Sequence, residues 1–149
     1  MQSKKDYYIA ENFKLSEFGY IKPEDNLLLI LQMLRNRTGS IIITDAGRTI
    51  IQHIQEYKNL ERNGKLSDRW WKSIPWSSRH LPMFERGLRA VDIKVKSDDN
   101  SRYLKGFEIQ SLLIEISNEL NLPIGLGIGS EFVHVDIDRI KTVIWYYSY

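Results

Sequence analysis

The chain has 149 residues, a length that suits one domain with a sizeable hydrophobic core. A composition of 42% hydrophobic and 27% charged residues is that of a globular protein and argues against disorder. The 21 basic and 19 acidic residues leave a net charge of only +2 and are spread along the chain, which argues against a nucleic-acid binder, and the absence of cysteine excludes disulfides, thiolate metal sites and thiol nucleophiles.

No apolar run approaches the roughly 18–20 residues of a membrane span, so no membrane partner is expected. The opening MQSKKDYYIAENFKLSEF has basic residues with no apolar run behind them and does not read as a secretory signal. PEDNLLLILQMLRNRTG (23–39) reads as a helix. Pro23 suits its first turn, Glu24 and Asp25 its positive end, Arg35 and Arg37 its negative end, and Gly39 its stop. SIIITDA (40–46) is a β-branched run and reads as a buried strand. TIIQHIQEYKNLERN (49–63) returns to helical spacing, with Ile50, Ile51, Ile54 and Tyr57 on one side and Gly64 as its stop.

Residues 65–88 are irregular and aromatic and hold three of the four tryptophans: Trp70, Trp71 and Trp76. A loop of that length is uncommon in a compact domain and is often functional; the simpler reading is that the rings pack the loop onto the core. RAVDIKVK (89–96) alternates as a strand. SRYLKGFEIQSLLIEISNEL (101–120) reads as an amphipathic helix that buries Leu104, Phe107, Leu112, Leu113, Ile116 and Leu120. EFVHVDID (131–138) alternates again, after the glycine-rich approach GLGIGS. A turn at Asp138–Lys141 leads into TVIWYYSY, and the two runs suit an antiparallel hairpin. The expected fold class is α+β: a single domain over 1–149, with a small antiparallel sheet packed by two or three helices.

The chain has three histidines. His53 lies mid-helix and reads as an ordinary surface or core residue. Asp92 sits between the apolar Val91 and Ile93, where a buried carboxylate without a partner is costly. A strand centred on Asp92 beside one centred on His134 brings the two side chains together if they share a face. With His80 from the tryptophan-rich loop, two imidazoles and one carboxylate converge as a three-ligand zinc set that leaves a position for water. Zinc in such a set lowers the pKa of its water to about 7 and polarises a carbonyl oxygen.

Hydrolysis then needs a general base, for which Glu131 is the best candidate. A regular strand points Glu131 away from His134; an irregular entry through Gly127 and Gly129 turns it inward, and the alternative is a solvated charge at a strand end. Asp136, on the face of His134, is either a group that orients a ligand or a surface carboxylate. Arg48, in TDAGRT at the mouth of a helix, either holds a substrate carboxylate or carbonyl or is a surface arginine whose charge opposes the helix dipole.

In this order the pieces resemble the zinc D-Ala-D-Ala peptidases, a family of D,D-carboxypeptidases, D-Ala-D-Ala dipeptidases and phage endolysins such as L-alanyl-D-glutamate endopeptidases, with a hedgehog-like zinc fold. The family pattern is S-G-Y-R, then S-x-H-x-x-G-x-A-x-D, then an acidic residue three before the histidine of H-x-D. Here D-A-G-R carries Arg48, Ser78-Arg79-His80 gives S-x-H, Ala90-Val91-Asp92 gives A-x-D, and Glu131 precedes His134-Val135-Asp136. NFKLSEF and Trp145-Tyr146 also look like the family, so the likeness runs from about residue 12 to 147. Two features depart from the pattern: the stretch LPMFERGLRAV between His80 and Asp92 is longer, and Asp45 stands where S-G-Y-R has serine.

The resemblance implies zinc bound by His80, Asp92 and His134, Glu131 as catalytic base, Arg48 on the substrate carbonyl or tetrahedral intermediate, and Ser78 lining the substrate site. It implies a monomeric hydrolase acting on peptidoglycan stem peptides or other D-Ala-D-Ala-containing substrates. Such an enzyme works in the cytoplasm, or is phage- or prophage-encoded and released to the cell wall. Cobalt or manganese suits the same ligands. The rival expectation is a non-catalytic zinc-containing binding module, since hedgehog domains share the fold and the metal site.

Overall fold

The computed structural model describes residues 5–46 and 87–149, together with positions 55, 58, 59 and 62–64. The fold is α+β. At the N-terminus a short hairpin pairs β1 (Tyr8–Ala10) with β2 (Phe13–Lys14), and a 3-10 turn over Leu15–Phe18 follows. This unit buries Phe13, Leu15 and Phe18. The Asp6 carboxylate ties it together by accepting hydrogen bonds from the Ser16 amide and hydroxyl.

Helix α1 (Asp25–Arg37) lies inside the expected 23–39, with Asp25 in its first turn and Arg35 and Arg37 in its last. Leu27, Leu28, Ile30, Leu31 and Leu34 form its buried stripe. Helix α2 (Gly106–Leu120) packs against α1 and buries Ile109, Leu113 and Ile116. Phe107 corrects the expected stripe: it is 68% exposed, and Ile109 is the buried residue of that turn. The helix starts at Gly106, so Phe107 falls in the first turn and faces away from the core.

Five strands form the main sheet: β3 (Ile41–Asp45), β4 (Ala90–Val95), β5 (Gly125–Ile128), β6 (Val133–Asp136) and β7 (Val143–Tyr146), in the order β3-β4-β6-β5-β7. Neighbours are antiparallel except β5 and β7, which run parallel. Two expectations are corrected here. The 131–138 and 142–149 runs do not form a hairpin with each other; β6 turns back onto β5, and β7 crosses to the far side of β5. The glycine-rich GLGI is also no irregular entry but the regular strand β5.

Alternation gives the sheet two unlike faces. Val91, Ile93, Val95, Leu126, Ile128, Val133 and Val135 join the α1 and α2 stripes in one apolar core. Burying each such side chain contributes about 1.5–3 kcal/mol. The intervening residues, Asp92 and Lys94 on β4 and His134 and Asp136 on β6, stand on the other face. Among the described residues no helix is long and apolar enough to cross a membrane.

Candidate functional site

The antiparallel register sets Asp92 directly opposite His134. Paired residues share a face, so β4 and β6 present the two side chains together, with His134 Nδ1 3.0 Å from Asp92 Oδ1. The other ring nitrogen, Nε2, lies 2.7 Å from Asp136 Oδ2. Asp136 is buried and is held in turn by Arg139, whose Nε and Nη2 donate at 2.6 and 2.7 Å to its two oxygens. A line of opposite charges therefore runs Asp92–His134–Asp136–Arg139.

Its electrostatics follow from that order. Burial opposes a charged imidazole, but the hydrogen bonds and charges of Asp136 and Asp92 outweigh it and hold His134 at about 9. Burial likewise opposes a charged Asp136, and Arg139 and His134 overcome it and hold that carboxyl at about 2. In the absence of metal His134 is thus an imidazolium that donates from both nitrogens.

The glycines of β5 make the room for this arrangement. Gly125 pairs with Asp136 and Gly127 with His134. A Cβ on Gly125 would strike the Asp136 carboxylate and come within 2.7 Å of Arg139 Nε. On Gly127 it would lie 2.6 Å from Trp145 Nε1 and 2.7 Å from the Tyr147 ring. The Trp145 ring centroid instead sits 5.3 Å from that of His134, and the Arg139 guanidinium lies over the indole at 5.7 Å.

Glu131 lies at the tip of the β5–β6 hairpin, whose turn is closed by the Gly129 amide donating to the Phe132 carbonyl at 2.9 Å. Lys105 Nζ donates to its carboxylate at 2.8 Å. That hydrogen bond and charge, with a smaller contribution from Lys94, hold Glu131 below the usual carboxylate range. Lys94 shares the Asp92 face of β4. Lys105 is itself anchored, because its amide donates to Glu108 as α2 begins and Glu108 is gripped by both terminal nitrogens of Arg102 at 2.9 Å.

The structure thus brings Asp92, His134 and Asp136 together and leaves Glu131 on Lys105. Arg48, Ser78 and His80 lie outside the described residues, as do His53, Trp70, Trp71 and Trp76. Arg139 and Lys105 were missed in the sequence; the signal for Arg139 was its place three residues after Asp136, the spacing of a local ion pair.

Among the described residues no group of three or more His, Cys, Asp or Glu side chains is arranged to hold a metal ion. The 3.0 Å between His134 Nδ1 and Asp92 Oδ1 is that of a charged hydrogen bond, and zinc on these two donors would replace the proton they share. Asp136 on the opposite ring nitrogen is the partner that metal-binding histidines usually have. No family model matches the chain, and no curated protein or solved structure matches it.

Proposed function

We propose that the chain is a zinc-dependent peptidase that hydrolyses a peptide bond in peptidoglycan stem peptides or their precursors. One observation carries the reading: Asp92 meets His134 Nδ1 on the side away from the apolar core, while Asp136 and Arg139 fix the opposite nitrogen. Nδ1 is then the nitrogen that faces a metal, and Asp92, His134 and His80 would hold it. Bound zinc supplies a Lewis acid that polarises the scissile carbonyl and brings water near a neutral pKa.

The chain's own residues do the rest. Asp136 accepts a hydrogen bond from Nε2–H and keeps the imidazole oriented. The family resemblance gives Arg48 the carbonyl oxygen as it gains charge and Ser78 the lining of the substrate site. Glu131 leaves Lys105, takes a proton from the attacking water and delivers it to the departing amine. Lys105 keeps Glu131 ionised beforehand, the state in which a base must begin.

A second reading rests on the same ion pair. Glu131 already has a partner of opposite charge, which suits a zinc-containing binding module that performs no turnover. Metal analysis of the purified protein and of His134→Ala, followed by peptidoglycan digestion with wild type and Glu131→Gln, tests both. The peptidase reading expects about one zinc per chain, lost in His134→Ala, and released peptide ends that vanish in Glu131→Gln with zinc retained. Zinc without released ends leaves the binding module, and no zinc after incubation with the metal ends both readings.

A further inference from the structure

An open groove of about 580 Å³ runs beside the hairpin tip. Lys105, Phe107, Ser130, Tyr146, Ser148 and Tyr149 line it. Phe107, Tyr146 and Tyr149 are 68%, 68% and 72% exposed, a costly display of ring surface in one place. Its walls are held in position. The Gly106 amide donates to the Ser130 carbonyl at 2.7 Å, the Ser130 amide to the Tyr149 carbonyl at 3.1 Å, and Gln110 Nε2 to the Tyr146 hydroxyl at 3.1 Å.

The rings also continue toward the Asp92–His134 pair. Phe132 stacks on Tyr149 at 5.8 Å and on Tyr147 at 5.4 Å. Tyr147 and Trp145 both fill the space over Gly127, and Trp145 lies against His134. Ring contacts therefore link the Tyr149 edge of the groove to the candidate metal centre, while Phe107 and Tyr146 stand on the helix side of the sheet.

We propose that this groove binds a neutral oligosaccharide of N-acetylated hexosamines, the glycan strand to which stem peptides are attached. The choice of that glycan rests on the peptidase reading; the class of ligand rests on the lining. The lining combines aromatic rings with serine and tyrosine hydroxyls, which suits a sugar's C–H faces and hydroxyls, and the volume is that of an ordinary ligand site. Charge favours a neutral ligand: apart from Lys105, which the unliganded protein pairs with Glu131, every lining side chain is uncharged.

The test is a titration of the β-1,4-linked tetramer of N-acetylglucosamine into chelator-treated protein, followed by NMR of the aromatic side chains. The ring signals of Phe107, Tyr146 and Tyr149 shift, and Tyr149→Ala and Phe107→Ala each weaken binding about tenfold. Both residues are exposed and bear no core packing, so the variants fold. The proposal is overturned by an absence of shifts at millimolar tetrasaccharide, by shifts that survive both substitutions, or by a free stem peptide that moves the same rings at lower concentration. Because the titration needs neither zinc nor turnover, sugar binding by a protein that takes up no zinc upholds the groove and ends the peptidase reading. Turnover without sugar binding does the reverse.

Discussion

Asp92 and Ile93 are adjacent on β4 and live in different chemical worlds. Ile93 is fully buried among the α1 and α2 stripes, where only volume and apolarity count. Asp92 meets an imidazole in a line of alternating charges. The difference teaches that one strand carries core packing on one parity and a line of paired charges on the other, so neighbouring substitutions have separable effects.

The largest effect breaks that separation at its centre. On the proposed zinc-peptidase reading, Asp92→Ala abolishes zinc uptake and reduces turnover to background while the far-UV circular dichroism stays native. Zinc retained at wild-type stoichiometry would remove β4 from the metal centre. Ile93→Ala does the opposite: it lowers unfolding free energy by about 2–5 kcal/mol in denaturant titrations and leaves zinc stoichiometry unchanged.

Asp136→Asn sharpens the comparison within the polar face. The amide keeps the shape but loses the charge that orients His134, and zinc affinity measured by chelator competition falls about 10–100-fold. An unchanged affinity would reduce Asp136 to a partner of Arg139 alone. A smaller effect is expected in metal-free protein. His134 is raised from its unfolded value of 6.5 to about 9. The stability it contributes is therefore fully present below pH 6.5 and is lost as pH rises through about 9. Chemical denaturation of chelator-treated protein across that range measures the loss, and His134→Gln removes the dependence.

The smallest effect falls at the hairpin tip. Lys105 holds Glu131 below the usual carboxylate range, so Lys105→Met raises the Glu131 pKa. With Glu131 as the base of the proposed peptidase, the acidic limb of the pH profile of kcat/KM then moves to higher pH. A limb that stays in place would assign it to a group other than Glu131.

Much of this was legible in the chain. The alternation of RAVDIKVK and EFVHVDID gave β4 and β6 and set Asp92 and His134 on faces able to meet, because period two leaves few ways to bury Val91, Ile93, Val133 and Val135. Helices α1 and α2 announced themselves through leucine and isoleucine spacing. β5 did not, because glycine lowers strand propensity; Gly125 and Gly127 are there for what they admit, the Asp136–Arg139 pair and the Trp145 indole. The parallel partnership of β5 and β7 was hidden for a different reason. A turn signal at Asp138–Lys141 fits a hairpin equally well, and only the tertiary placement of β5 between the two strands decides. Lys105 was invisible because its meeting with Glu131 joins a helix start to a hairpin tip 26 positions away.

The crossing of β7 over β5 has a consequence in time. The β5–β6 hairpin is local and of the kind that closes within microseconds. Strand β7 has no edge to dock on until β5 is in place, since β5 is its sheet neighbour. The approach of Trp145 to His134 accordingly follows the placement of β5, and the indole reports the docking of β7 rather than the closing of the hairpin.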